Sequence, residues 1–256
     1  MTGAWHWKRR PGAPPLIFAH RGARARAPEN TMAAFELARA ERADAIELDV
    51  RTTADGVVVV MHDVDLARMT DQRDLRRVAT MTFAELRAVE LAGGTRAPSL
   101  VEVLDWADGC AMAVNVELKH DVPDERRLAH EVARLLRARG RVAARVILSS
   151  FQPRLLAWSR LLVPSVPRAL LVHDGQRLAR TPVAAALRRA VGAIALHPER
   201  TLCVPSRLLR WSRGGALLNV WTVNAPSEAR GLARRGVDGL ITDDPAALRH
   251  ALATSP

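Results

Sequence analysis

Short runs of β-branched and aliphatic residues recur along the chain, each followed by a polar loop and an Ala/Leu/Arg stretch of helical period. The apolar runs are Leu16–His20, Ala45–Val50, Ala113–Lys119, Arg145–Phe151, Arg168–His173, Ala193–His197, Leu218–Asn224 and Gly239–Thr242. Between them the pattern predicts helices at Thr31–Ala40, Leu100–Ala107, Asp124–Arg139, Arg154–Leu162, Val183–Val191, Ser206–Arg213, Ser227–Arg235 and Ala246–Ala253. Nearly continuous apolar strands alternating with helices describe a parallel sheet covered on its outer face. Eight such units predict closure, so the expected fold is α/β, a (β/α)8 TIM barrel, whose usual length is about 250 residues. A doubly wound open sheet is the competing architecture, but no Gly-rich dinucleotide fingerprint follows any of these strands.

One segment breaks the rhythm. Asp55-Gly56 is a hairpin signal, and Val57–Met61 after it reads as an extra strand folding back from the second barrel strand. The remainder, through Arg73–Arg77 and Gly93-Gly94, predicts a small insertion over the barrel mouth. The expected organisation is a leader at 1–15, then a single barrel domain at 16–256 carrying an insertion at 51–98. Asp244 before Pro245 fits a helix N-cap with Pro at the first helical position.

Composition narrows the class. With 48% apolar and 25% charged residues in 256, the chain can bury a core without disulfides. Cys110 and Cys203 sit in no paired motif, and two free thiols point to a reducing compartment, the cytoplasm. No apolar run approaches the ~18 residues of a membrane span. Arg9-Arg10 is followed by no apolar stretch of an export signal. A net charge of +11 raises the question of nucleic acid, but the basic residues are scattered. Tyr is absent and only 4 Phe are present, too few for a base-stacking surface, so no nucleic-acid partner is expected. The positive field instead favours a small anionic substrate.

Candidate chemistry gathers at strand ends, where a barrel of this type places its site. The second strand carries Glu47 and Asp49 between Ile46, Leu48 and Val50, so alternation puts both carboxylates on one face. The third repeats this with Glu117 and Lys119 around Leu118. Carboxylates in strand interiors are kept when paired or bound to a cation, and three converging ones repel strongly. Oxygen donors without Cys select a hard divalent cation, Mg²⁺ or Ca²⁺. Lysine is rare here, with 36 of 38 basic positions held by Arg, so Lys119 beside a carboxylate suggests a need for a compact ammonium. His20-Arg21 ends the first strand and His62-Asp63 follows the extra one. These two histidines are the natural acid–base pair, and the absence of Tyr excludes a tyrosine acid. His6, His120, His130, His173 and His250 lack such neighbours and read as structural, whereas Gln152 and His197 are expected near the mouth.

Several blocks in register carry a resemblance. Phe18-Ala19-His20-Arg21-Gly22, Pro28-Glu29-Asn30-Thr31, Ile46-Glu47-Leu48-Asp49-Val50, Asp55-Gly56, His62-Asp63, Ala97-Pro98-Ser99-Leu100, Val116-Glu117-Leu118-Lys119, Ser149-Ser150-Phe151, Trp221-Thr222-Val223-Asn224 and Gly236–Pro245 follow one another from Phe18 to about His250. In that order they resemble the glycerophosphodiester phosphodiesterase family, with Ser99 where Thr is usual. The resemblance implies hydrolysis of glycerophosphodiesters to glycerol 3-phosphate and an alcohol. It further implies Glu47, Asp49 and Glu117 on a divalent cation, His20 and His62 as acid and base, and Arg21 and Lys119 on the phosphate. Trp221 is expected to pack on the substrate. In the family the neighbouring glycerol hydroxyl can attack first, giving a cyclic phosphate that water opens. Two other readings stand beside it: a phospholipase D-like enzyme of the same fold acting on lysolipids, and a non-catalytic barrel that binds anions. Trp5 and Trp7 beside Lys8–Arg10 would serve the first as an interfacial anchor, but the Pro-rich stretch after them favours a water-soluble substrate and no membrane contact. The leaving alcohol, the choice of Mg²⁺ or Ca²⁺, which histidine is the acid, and the oligomeric state are open at this level.

Overall fold

A computed structural model describes residues 5–176 and 181–253; the first four residues of the leader segment and the last three of the barrel segment lie outside the described residues. The barrel strands are β1 (Leu16–His20), β2 (Ala45–Thr52), β4 (Ala113–Leu118), β5 (Val146–Ser150), β6 (Arg168–Val172), β7 (Ala195–Pro198), β8 (Leu217–Val220) and β9 (Gly239–Thr242). Among the described residues these eight run parallel in the order β1-β9-β8-β7-β6-β5-β4-β2, and β1 pairs with β2 to close the ring. The expected TIM barrel is the observed fold.

Helices α1 (Met32–Ala40), α3 (Leu100–Cys110), α4 (Glu125–Arg137), α6 (Pro153–Leu162), α7 (Val183–Ala190), α8 (Pro205–Arg213), α9 (Pro226–Arg234) and α10 (Pro245–Ala253) cover the outside, with a short α5 at Gly140–Ala143. Their starts follow local chemistry. Thr31 caps α1, Ser99 and Glu102 form a reciprocal capping box on α3, and Asp124 caps α4. Pro opens α6, α8 and α9, where its missing N–H costs nothing. Asp244 accepts from the Ala247 N–H at 3.0 Å, as its place before Pro245 predicts. No helix among the described residues is long and apolar enough to cross a membrane.

The extra strand is β3 (Val58–Val60), antiparallel to β2 with Val50 opposite Val60. The chain after it wraps a small apolar cluster that includes Val59, Met61, Leu66, Met69, Val78, Met81, Leu86 and Leu91. Helix α2 (Phe83–Ala88), which the periodicity does not predict, starts on a Thr82–Glu85 capping box. It is too short to show a helical period. Pairing trims β4, β5 and β6 by single residues at their ends and two strands by more: β7 begins at Ala195 rather than Ala193, and β8 ends at Val220, short of Asn224.

Inside the barrel, Phe18, Ala45, Ala113, Ile147, Ala169, Ala195 and Ile241 pack together with Trp7. Four of these inward positions are alanine, leaving a hole at the N-terminal end of the strands. Trp7 fills it, 4% exposed, its ring stacked on Phe18 at 5.9 Å and met edge-on by Trp5 at 6.2 Å. The segment expected as a leader therefore places an aromatic plug in the barrel floor.

Candidate active site

Strand alternation builds the other end. On β2, Ala45, Glu47 and Asp49 share the inward face; on β4, Ala113, Asn115 and Glu117 do so. Register sets Glu47 beside both His20 and Asn115, and Asp49 beside Glu117. Oxygens of Glu47, Asp49 and Glu117 lie within 4.8 Å of one another, all three residues buried. Burial, with Asp49 and Glu117 alongside, pushes the Glu47 carboxyl well above the usual range. Burial and Asp49 also raise Glu117, against the pull of Lys119. At Asp49 burial works the same way, but Lys119 and Arg21 outweigh it and hold the group below its usual range. Lys119 is the counterpart: burial disfavours its charge, yet Glu117 and Asp49 raise its pKa. Its Nζ lies 3.2 Å from Glu117 and 3.4 Å from Asp49.

The turn after β1 completes this floor. Gly22 has φ +84°, and a Cβ there would sit 2.6–2.8 Å from Ala34 atoms, so the turn requires glycine. Arg21 before it is also left-handed, at φ 55°. Its backbone N–H thereby donates to Glu47 Oε2 at 3.0 Å, while its Nε lies 3.2 Å from Asp49 Oδ2. Asn30 donates to the same Asp49 oxygen at 2.9 Å.

Each expected histidine has an aspartate. His20 donates from Nδ1 to Asp243 Oδ1 at 2.7 Å, and His62 from Nδ1 to Asp63 Oδ1 at 2.7 Å. A carboxylate only accepts, so each ring carries a proton on Nδ1, which leaves Nε2 as the atom that can take or give a proton. Burial, aided by Arg21, lowers the His20 pKa despite Asp243. Burial would raise Asp243, but the hydrogen bond from His20 prevails and holds it at about 2. The hydrogen bond from His62, with Arg68, keeps Asp63 below its usual range.

His20, Arg21, Arg24, Glu47, His62, Asn115, Glu117 and Lys119 line a cavity of about 340 Å³, together with Phe151, Leu171, Trp221, Thr222 and Ile241. Trp221 is fixed by donation from Nε1 to the His197 carbonyl at 2.7 Å and by an edge contact with Phe151. The structure thus brings every candidate residue to one place, with Asp49 just beneath the cavity wall. Gln152 precedes α6 and does not line the cavity. His197 departs from expectation: it is fully buried, because alternation on β7 points it inward with Ala195, below the mouth. There it meets Asn219 at 2.9 Å, and burial pushes its pKa down to about 3. His120 and His173 stand at the rim against Phe151.

Sequence reasoning assigns no role to Asp243, Asp63, Asn30 or Asn115. Asp243 is readable in principle: Gly239 and Ile241 face inward, and Asp243 continues that spacing past the strand end. A hard cation fits this donor set. Three buried carboxylates repel one another there, Glu47 and Glu117 line the cavity, and the buried Asn115 Oδ1 beside them has no hydrogen-bond partner.

A closed barrel with acidic, histidine and cationic side chains gathered at the C-terminal ends of its strands defines a barrel enzyme acting on an anion. The model of the glycerophosphoryl diester phosphodiesterase family matches residues 20–247, and the chain belongs to that family, an enzyme of the phosphoric diester hydrolase class. It is 32% identical to the glycerophosphodiester phosphodiesterase of Caldanaerobacter subterraneus subsp. tengcongensis, over 91% of this chain and 96% of that one. The uncharacterized protein YqiK of Bacillus subtilis is 35% identical, covering 90% and 95%. A crystal structure from Silicibacter pomeroyi DSS-3 superposes with a TM-score of 0.87 at 31% identity, over 96% of this chain and 95% of that one.

Proposed function

We propose that the cavity hydrolyses a small, water-soluble glycerophosphodiester to glycerol 3-phosphate and an alcohol, with His20 and His62 exchanging the protons. One observation carries this reading: two histidines, each fixed by its own aspartate, line the same cavity as the carboxylate cluster. A free Nε2 takes the proton of the attacking hydroxyl, whether the neighbouring glycerol hydroxyl or water. The other histidine, protonated, gives its proton to the departing alkoxide oxygen. Arg21 and Lys119 supply positive charge to the phosphate, and the face formed by Phe151, Leu171 and Trp221 packs on carbon atoms of the substrate. Glu47, Asp49 and Glu117 are the residues that would hold Mg²⁺ or Ca²⁺. When bound, such an ion polarises a phosphoryl oxygen and offsets charge developing in displacement.

The name of the Caldanaerobacter relative supports the substrate class. Free Cys110 and Cys203 accord with a reducing setting such as the cytoplasm. Burial of Trp7 removes the feature that best suited a lysolipid enzyme at a membrane, since the ring faces the barrel interior. The test is release of glycerol 3-phosphate from a panel of glycerophosphodiesters, with and without chelator. Release that stops on chelation and returns with Mg²⁺ or Ca²⁺ is expected; no release from any member of the panel would overturn the assignment.

A further inference from the structure

The block Pro28-Glu29-Asn30-Thr31 has a part in the site beyond Asn30. It lies in the loop from β1 to α1, pinned on both sides: the Asn30 N–H donates to the Arg21 carbonyl at 2.9 Å, and Thr31 Oγ1 donates to the Pro28 carbonyl at 2.6 Å. Glu29 between them has a side chain only 10% exposed. It accepts from three guanidinium groups: Arg21 NH1 at 2.9 Å and Arg68 NH2 at 2.6 Å on Oε1, and Arg24 NH1 at 3.1 Å on Oε2.

Two of those arginines reach onward with their Nε atoms. Arg24 Nε lies 2.7 Å from Asp243 Oδ1, the oxygen that also accepts from His20. Arg68 Nε donates to Asp63 Oδ2 at 2.7 Å, leaving Oδ1 to His62. An unbroken line therefore runs from His20 through Asp243, Arg24, Glu29, Arg68 and Asp63 to His62.

We propose that Glu29 is a positioning residue for both histidine–aspartate pairs, holding one arm of each arginine so that neither can fork onto its aspartate. The proposal rests on the reading of His20 and His62 as proton carriers. The physical reason lies in the preference of a guanidinium for two parallel bonds to one carboxylate. Arg68 freed from Glu29 would turn its NH2 toward Asp63 and compete with His62 for Oδ1. Arg24 freed from Glu29 would do the same at Asp243, whose Oδ2 is already taken by Asn224 at 2.8 Å, leaving His20 as the group displaced. Each ring would then lose the contact that fixes its proton on Nδ1. A network that served only to hold loops together would be worth little at this surface, because Arg68 is half exposed.

The experiment uses the full-length protein with Mg²⁺ and ¹⁵N-labelled histidine, recording long-range ¹H–¹⁵N ring correlations together with hydrolysis of glycerophosphocholine. Glu29→Gln keeps the shape and removes the charge. In that variant the rings of both His20 and His62 should lose the bias to Nδ1–H, and kcat should fall about 10–100-fold, the scale for lost outer-shell partners. The thermal midpoint should stay close to wild type. Arg68→Met should disturb His62 alone, and Arg24→Met His20 alone. In a His20→Ala background, Glu29→Gln should cost less than it does in the wild type. If His20→Ala and His62→Ala are slow but Glu29→Gln moves one ring or neither, the proposal is overturned while the acid–base reading stands. If those alanine variants turn over at the wild-type rate, the acid–base reading falls and takes the proposal with it.

Discussion

Trp7→Ala tests whether the N-terminal segment is part of the barrel. Trp7 is 4% exposed, and its neighbours in the floor include Ala45, Ala113, Ala169 and Ala195, which have no side-chain length to move into a gap. The hole would therefore persist, placing the loss in the range of about 3–5 kcal/mol for large aromatic-to-alanine changes. One feature pulls the other way: Trp7 Nε1 is buried without a hydrogen-bond partner, so removing it relieves about 1–3 kcal/mol. Central values give a net loss of about 2 kcal/mol. At about 2–4 °C per kcal/mol for a chain of this size, the midpoint should fall by roughly 4–8 °C. Trp7→Phe keeps a ring on Phe18 and drops the unpaired N–H, so it should lie within about 1.5 kcal/mol of wild type. Thermal and urea unfolding of the full chain measure both. Activity per folded molecule should be unchanged at 20 °C, because the plug and the carboxylates occupy opposite ends of the barrel. A Trp7→Ala protein as stable as wild type would refute the plug, and binding of wild-type protein to vesicles that Trp7→Ala abolishes would restore the anchor.

Four further outcomes are expected. Glu47→Gln and Asp49→Asn should weaken Mg²⁺ or Ca²⁺ binding by calorimetry and remove turnover; undiminished metal affinity in both would reject the carboxylate cluster as the metal site. His20→Ala and His62→Ala should each cost roughly 10²–10⁴-fold in rate with folding retained, while exposed His130→Ala should be silent. Stability should decline as pH falls from about 6.5, the ordinary histidine value, toward about 3, where burial holds His197. The unfolded chain binds a proton there that the folded one refuses, a slope of about 1.4 kcal/mol per pH unit that His197→Gln should remove from urea melts. Glycerophosphocholine should be hydrolysed in preference to lysophosphatidylcholine; the reverse preference would favour the phospholipase alternative.

What the sequence exposes and what it hides follow from one physical distinction. Strand alternation is a local rule, so spacing alone sets Glu47, Asp49, Glu117 and Lys119 on inward faces. Helix starts are similarly legible at Thr31, Asp124 and Pro245, since caps act within a turn. The partners of the histidines are different. Asp243 lies 223 positions from His20, and only closure of β9 onto β1 brings them to 2.7 Å. Asp63 is adjacent to His62 in sequence, but its grip on the ring depends on Arg68 holding the other oxygen. His197 departs for a related reason: its strand is legible, but its depth is set by register with β6 and β8, which pairs Leu171 with His197 and leaves Trp221 above it. Barrel closure therefore converts inward-facing residues, a one-dimensional pattern, into layers, and a residue's role depends on its layer. The alanine layer needs a plug, the His197–Asn219 layer is sealed, and the carboxylate layer opens to the cavity. A residue at the right spacing but one layer too deep is structural, which separates His197 from His20 although both lie near the C-terminal ends of barrel strands.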